Sequence, residues 1–182
     1  MPSNQPKVLN TRRITPGEYE ELAKSAALEM SDGQADLVLT SLIFNLMRTS
    51  NRIVRDFEVA VYNTAELSWA AYQLLYTLKS VGPMHPKSLA RIAGVSTASM
   101  SSLLNTMTKK NLVTRTPDPD DGRRQIVTLT EEGESILQVM YQENRDREEA
   151  WGEALTRDEA EQMVTLLQKM LLHRPRPHRI PE

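Results

Sequence analysis

Residues 112–133 read LVTRTPDPDDGRRQIVTLTEEG, and this stretch decides the fold. Segments 112–116 and 125–129 are short and rich in β-branched residues, which favours two β-strands. Proline, aspartate and glycine fill most of the segment 117–124 between them, and these residues form tight turns. The sequence therefore predicts a β-hairpin whose tip carries Arg123 and Arg124.

Two short helices are predicted just before this hairpin. The first spans 86–93 and ends at Gly94, and the second is capped by Ser96 and spans 97–110. Asn111 follows it, a residue type that tolerates the left-handed conformation at which helices often end. A short helix, a tight turn, a second helix and a charged hairpin follow one another in the winged helix-turn-helix fold.

Nearly all of the remaining chain has helical spacing of apolar residues or helix-capping motifs. The predicted fold class is therefore mainly α, with a winged helix-turn-helix, a two-stranded β wing and additional helices at both ends. These additional helices are predicted over 15–30, 35–62, 69–80, 130–154 and 156–173.

Composition limits the class of protein and the kind of partner. The chain has 182 residues, 40% of them hydrophobic, no cysteine and a net charge of −2. Disulfides and cysteine-ligated zinc are thereby excluded, and no run of apolar residues is long enough for a membrane span. We expect a cytoplasmic protein without metal or cofactor. Segment 85–125 holds seven lysines or arginines and three aspartates, so it forms a basic region on an acidic chain.

The second short helix has one apolar and one polar face. Met100, Leu103, Leu104 and Met107 are predicted to be buried, which leaves hydroxyl and amide side chains on the outer face. A helix of this kind fits the major groove, and arginines at a hairpin tip fit the minor groove, where the negative potential is high. The residues predicted to contact duplex DNA are Lys87, Thr97, Ser99, Ser101, Ser102, Asn105, Lys109, Arg115, Arg123 and Arg124.

The hairpin and the segment after it resemble the wing signature of the multiple antibiotic resistance regulator (MarR) family. The matching positions are Asp121 and Arg123 in the tip, and Leu129, Thr130 and Gly133 where the second strand leads into a helix. The similarity in helix order and length extends over about residues 35–173. It implies a homodimer that binds DNA, with Arg123 in the minor groove and 97–109 as the recognition helix.

The sequence departs from the family pattern in the recognition helix. Asn105 stands where the family usually has aspartate, which weakens any ion pair that would fix the wing. Ser102 and Thr106 stand where arginines commonly flank it, and this removes bidentate readout of guanine from the helix. Hydroxyl, water-mediated and shape readout are left to supply specificity, so the operator sequence is not predicted.

Trp69, Tyr72 and Tyr76 lie on one side of the helix predicted over 69–80. Packing in the core is one interpretation of this spacing. The resemblance implies another, since this helix and the end of the preceding long helix line a ligand pocket in the family. Arg48, Arg52 and Arg55 would then pair with the carboxylate of a small aromatic or phenolic effector, although they are equally compatible with a solvated surface.

Apolar stripes on the outer helices predict self-association, since a small domain has nothing else to cover them. In the last helix the stripe consists of Met163, Leu166, Leu167, Met170 and Leu171. The predicted organisation is a flexible N-terminus at 1–14, dimerisation helices at 15–66 and 131–173, a DNA-binding lobe at 67–130 and a flexible tail at 174–182.

The predicted function is ligand-responsive regulation of transcription, as a repressor that binds a pseudo-palindromic operator as a homodimer. No phosphate loop, nucleophile elbow or paired-carboxylate motif is present, so an enzyme is not expected. Two alternatives stay open: a winged-helix module that contacts proteins, and a helical small-molecule-binding protein without DNA binding.

Overall fold

The computed structural model describes residues 14–173. The predictions of a flexible N-terminus and a flexible tail therefore fall, except for Ile14, outside the described residues. Within them the chain forms seven α-helices, a short 3₁₀ helix and two antiparallel strands, which confirms the predicted fold class. The α-helices are α1 (Pro16–Met30), α2 (Leu37–Ala60), α3 (Trp69–Val81), α4 (Pro86–Ala93), α5 (Thr97–Lys109), α6 (Glu131–Gly152) and α7 (Arg157–Leu172), and the strands are β1 (Val113–Pro117) and β2 (Gln125–Leu129).

The helix predicted over 35–62 is shorter than expected at both ends. Asp36 accepts hydrogen bonds from the amides of Val38 and Leu39 at 3.0 and 3.1 Å, so the helix begins at Leu37. At the other end the chain turns into the 3₁₀ helix Tyr62–Ala65, in which the ring of Tyr62 is fully buried. None of the helices among residues 14–173 is long and apolar enough to cross a membrane.

The chain divides into two compact units at Arg55. In the N-terminal unit, Thr15 and Glu18 form a capping box that begins α1. The rings of Tyr19 and Phe44 lie 5.3 Å apart between α1 and α2, and Asn45 donates to Glu20 at 3.0 Å. No residue of α1 is buried within the chain.

In the C-terminal unit, α3, α5 and α6 pack against the base of the hairpin. The fully buried side chains include Leu75 of α3, Leu104 and Met107 of α5, Val127 of β2 and Met140 of α6. A short bridge between Met84 and Val127 adds a third segment to the sheet at this point. Burial of these side chains supplies most of the stability of the unit, since apolar burial is the main favourable term in folding.

The predicted hairpin is present, and its two strands pair in a register that places Val113 opposite Leu129 and Pro117 opposite Gln125. The amide of Asp118 donates to the carbonyl of Arg124 at 3.0 Å, and the amide of Arg124 donates to the carbonyl of Asp121 at 2.8 Å. These bonds close the tip, so the two arginines project from an ordered turn.

Candidate DNA interface and ligand cleft

Helix α5 presents a polar surface because its apolar residues face the core. Ser96 caps it, with its hydroxyl accepting from the amide of Ser99 at 3.0 Å. Met100, Leu104 and Met107 are buried as predicted, whereas Leu103 is only half-buried because it lines a surface cleft. The predicted DNA-contacting residues of this helix are all exposed: Thr97, Ser99, Ser101, Ser102, Asn105 and Lys109.

The two arginines of the wing tip differ in their surroundings. Arg124 pairs with Asp121 at 3.0 Å, and Asp121 also accepts from the backbone amide of Arg123 at 3.2 Å. The side chain of Arg123 is exposed and makes no ion pair with any residue between 14 and 173. Asp121 therefore shapes the turn and holds Arg124, while the charge of Arg123 is available to a partner.

A groove of about 870 Å³ lies between α4, the start of α5 and the end of the wing. It brings together three of the predicted residues, Lys87, Thr97 and Arg124. Arg91 lines the same groove, and the sequence-based site missed it. The signal was present, since Arg91 lies four residues after Lys87 and therefore on the same face of the helix.

Arg115 lies in a different environment from the other predicted cations. It is half-buried, and its Nη2 donates to Oδ1 of Asn105 at 2.9 Å. The amide thus keeps β1 and α5 connected where an aspartate would form an ion pair. Contact of Arg115 with DNA remains a prediction, and its observed partner is Asn105 of α5.

His85 connects the start of α4 to both ends of the wing loop. Its Nδ1 lies 2.9 Å from the carbonyl oxygen of Gln125, and its Nε2 lies 3.3 Å from a carboxylate oxygen of Asp118. The sequence showed only a histidine before a helix-starting proline. The structure shows a link that fixes the hairpin against the helix-turn-helix.

A cleft of about 360 Å³ opens beside α3, and Trp69, Tyr72 and Tyr76 all line it. The centroids of Trp69 and Tyr72 are 5.9 Å apart, and those of Tyr72 and Tyr76 are 5.8 Å apart, with the rings stacked. Tyr72 is buried and Tyr76 is half exposed, at 46%. The aromatic row therefore packs in the core at its inner part and meets solvent at its outer part, and contact of these rings with a ligand stays a prediction.

Helix α6 supplies the opposite wall of this cleft, which the sequence-based site did not include. Tyr141 and Glu148 line it, and Asn144 lies between them at helical spacing. Asn144 is buried and accepts from the hydroxyl of Tyr62 at 3.0 Å. The signal for this wall was the spacing of these three residues, which matches that of Trp69, Tyr72 and Tyr76.

The buried tyrosines of this region stay neutral. Burial raises the pKa of Tyr62 well above its usual range, although the hydrogen bond between Tyr62 and Asn144 opposes that change. Burial also raises the pKa of Tyr72, and the negative charge of Glu148 adds to the effect. The phenols are therefore donors and apolar surfaces, not charged groups.

The predicted arginines Arg48, Arg52 and Arg55 belong to the N-terminal unit. The guanidinium of Arg48 lies 4.8 Å from the ring centroid of Tyr19 and 5.1 Å from that of Phe44, which are cation–π distances. Pairing of these arginines with a ligand carboxylate stays a prediction.

Comparison with known proteins gives the family. The model of the MarR family matches residues 66–124, which contain α3, the helix-turn-helix, β1 and the tip of the wing. A curated relative, the HTH-type transcriptional regulator YxaD of Bacillus subtilis, is 31% identical over 59% of this chain and 75% of its own length. The regulator YwaE of the same organism is 29% identical over 84% of this chain and 88% of its own length.

Among solved structures, BpsR of Bordetella bronchiseptica, whose DNA binding is regulated by 6-hydroxynicotinic acid, matches with a TM-score of 0.65. It is 22% identical over 71% of this chain and 97% of its own chain, so it supports the fold. The curated relatives are transcriptional regulators and not enzymes. The chain belongs to the MarR family and is a winged-helix regulator of transcription.

Proposed function

We propose that this regulator is a homodimeric repressor that binds duplex DNA through α5 and the wing and releases it when a small aromatic ligand binds. The observation that carries the proposal is the surface where α4, α5 and the wing meet. Lys87, Arg91 and Arg124 line one groove there, and Arg123 projects from the adjacent tip. Four cations beside an exposed recognition helix match what a phosphate backbone and a minor groove require.

Specificity would come from the small hydroxyl side chains of α5. Thr97, Ser99, Ser101 and Ser102 are exposed, and their short side chains permit close approach of the helix to base edges and phosphates. Arg115 holds Asn105 at the wing side of this surface, so the amide lies at the junction of helix and hairpin.

Dimerisation is supported by apolar side chains that the single chain leaves uncovered. In α7, Leu166 is 61% exposed and Leu171 is 85% exposed, and no residue of this helix is buried. In the N-terminal unit, Val38 and Met30 are 76% and 82% exposed. Exposed apolar patches of this kind are typical of protein interfaces.

Effector binding is supported by the aromatic cleft beside α3. Its lining comes from α3, α4, α5 and α6, so it adjoins the helices that carry the DNA-contacting residues. BpsR is a protein of the same fold whose DNA binding a small aromatic molecule regulates. A ligand here releases DNA only if it binds the DNA-incompetent form better than the competent one.

The test of DNA binding is selection of genomic fragments by the purified protein, followed by affinity measurements at several salt concentrations. We expect affinity for a selected fragment to fall steeply with added salt. The reason is that lysine and arginine side chains that contact phosphates displace the counterions of the DNA, and added salt opposes this release. Arg123→Ala should weaken binding by about 1–3 kcal/mol, roughly 5- to 150-fold, and reduce the salt slope by about one.

Arg145→Ala is the matched control, since Arg145 is exposed on α6 and pairs with Glu149 at 3.7 Å. It should bind DNA as the wild type does. If no fragment is retained, the two alternatives, a protein-contact module and a small-molecule-binding protein, take the place of the proposal. Wild-type affinity in Arg123→Ala would remove the wing tip from the interface.

A further inference from the structure

We propose that the cleft beside α3 selects a planar aromatic ligand that carries a positive charge, and that Glu148 sets this preference. The inference rests on the proposed function only in taking this cleft as the effector site. It concerns the charge of the ligand, which neither the family nor the shape of the cleft determines.

The walls of the cleft suit a flat aromatic ring system. Trp69, Tyr72 and Tyr76 form a stacked row on α3, and Tyr141 of α6 continues it at 6.4 Å from Tyr76. Tyr76 and Tyr141 are 46% and 40% exposed, so an incoming ligand can contact both residues. Ring faces carry negative electrostatic potential and attract cations, so these walls favour an aromatic cation over an aromatic anion.

The charged side chain that lines the cleft is negative, as is the electrostatic potential of the ring faces. Among the lining residues that lie between 14 and 173, Glu148 is the only aspartate, glutamate, lysine or arginine. Its side chain is exposed and makes no ion pair or hydrogen bond with any residue between 14 and 173. The carboxylate is therefore available to a ligand.

The negative charge of Glu148 also acts on the buried tyrosines Tyr62 and Tyr72. Burial is the main cause that raises the pKa of Tyr62 and of Tyr72, and the negative charge of Glu148 raises both further. A ligand anion in the cleft would meet repulsion from Glu148 and find only neutral side chains, with no lysine or arginine among the lining residues between 14 and 173. A ligand cation would meet attraction from Glu148 and from the ring faces.

The experiment compares three probes of nearly equal shape and fixed charge: 1-methylquinolinium, 1-methylnaphthalene and 1-naphthoate. Their binding to the full chain is measured by calorimetry and by quenching of tryptophan fluorescence, without DNA. We expect 1-methylquinolinium to bind most tightly and 1-naphthoate most weakly. Glu148→Gln should weaken binding of the cation roughly two- to fivefold, strengthen binding of the anion, and leave the neutral probe unchanged.

Glu143→Gln is the control, because Glu143 is an exposed carboxylate of the same helix and does not line the cleft. It removes the same charge from the chain and should change none of the three affinities. Unfolding temperatures of both variants establish that they fold. Tighter binding of 1-naphthoate than of 1-methylquinolinium to the wild type would overturn the proposal, and so would absence of binding by all three probes.

A separate measurement of DNA affinity with each probe keeps this result distinct from the proposed switch. If the cation binds through Glu148 but DNA affinity does not change, the charge preference stands and ligand-induced release fails. If 1-naphthoate binds and releases DNA, release stands and the charge preference fails. That second outcome would support the sequence-based pairing of an effector carboxylate with Arg48, Arg52 or Arg55.

Discussion

At the scale of single residues, the junction between the wing and α6 has little room for change. Thr130 caps α6 by accepting from the amide of Gly133 at 2.9 Å, and its hydroxyl donates to the carbonyl of Asn111 at 2.7 Å. Gly133 lies so close to Leu112, the residue before β1, that a Cβ atom at Gly133 would stand 2.1 Å from the Leu112 carbonyl oxygen. Glycine is required at this position because there is no space for a side chain, and not because of its backbone conformation.

Gly133→Ala should therefore destabilise the C-terminal unit. The clash involves a backbone atom that cannot rotate away, so we expect the free energy of unfolding to fall by about 1–3 kcal/mol or more. Urea unfolding followed by circular dichroism measures it. Gly152→Ala is the matched control, since no atom lies within 4 Å of a Cβ there and alanine favours helices. Equal stability of the two variants would contradict this account.

The sequence was sufficient to identify these residues as important, but it was not sufficient to predict which atoms they contact. The resemblance singled out Thr130, Gly133 and Asp121, and the structure gives each a defined role. It did not show that Arg124, and not Arg123, is the ion-pair partner of Asp121. Neighbouring arginines in a turn project in different directions, and the turn geometry that decides between them is not encoded in residue type alone.

At the scale of elements, α3 and α6 face each other through rows of residues with the same spacing. Trp69, Tyr72 and Tyr76 form the row on α3, and Tyr141 and Asn144 belong to the row on α6. Periodicity predicted an aromatic face on the first helix. It did not predict the partner of that face, because the two helices are about 70 residues apart and periodicity carries no information on pairing between elements.

The contact between the 3₁₀ helix and α6 predicts a loss of stability in alkali. Burial raises the pKa of Tyr62, so above a pH of about 10 the unfolded chain loses this proton while the folded chain keeps it. Unfolding then becomes more favourable as the pH rises. The contribution is complete below the unfolded pKa and decreases by up to about 1.4 kcal/mol per pH unit above it.

Tyr62→Phe should therefore show a flatter decrease of unfolding free energy between pH 9 and pH 11 than the wild type. At pH 8 it should be less stable, because the buried Asn144 loses a hydrogen bond worth about 1 kcal/mol. Unfolding is measured in urea at one protein concentration. Parallel curves for Tyr62→Phe and wild type would contradict the assignment.

At the scale of the whole molecule, the single chain leaves apolar side chains of α7 exposed to solvent. The apolar stripe predicted for the last helix exists in α7, where Met163, Leu166, Met170 and Leu171 are all exposed within the chain. Sequence alone indicated this stripe because its helical spacing is regular. Sequence could not give the arrangement of two copies, since the same stripe would serve a parallel or an antiparallel pair.

Leu171→Lys tests whether α7 forms the interface of the proposed dimer. Leu171 is 85% exposed in the single chain, so a lysine there costs the isolated fold little. In an apolar interface it would leave a buried charge without a partner, a cost of about 3–5 kcal/mol or roughly 100-fold or more in the dimer dissociation constant. We expect light scattering to show a shift toward monomer at concentrations where the wild type is dimeric.

The same variant should bind DNA poorly, because a monomer contacts one half-site of a two-fold operator and loses the second. Val81→Lys is the matched control: Val81 is 66% exposed at the end of α3, in the predicted DNA-binding lobe. It should remain dimeric, and its helix content by circular dichroism should equal that of Leu171→Lys. A dimeric Leu171→Lys with wild-type DNA affinity would move the interface away from this end of α7. A monomeric wild type that binds DNA tightly would require each chain to recognise its site alone.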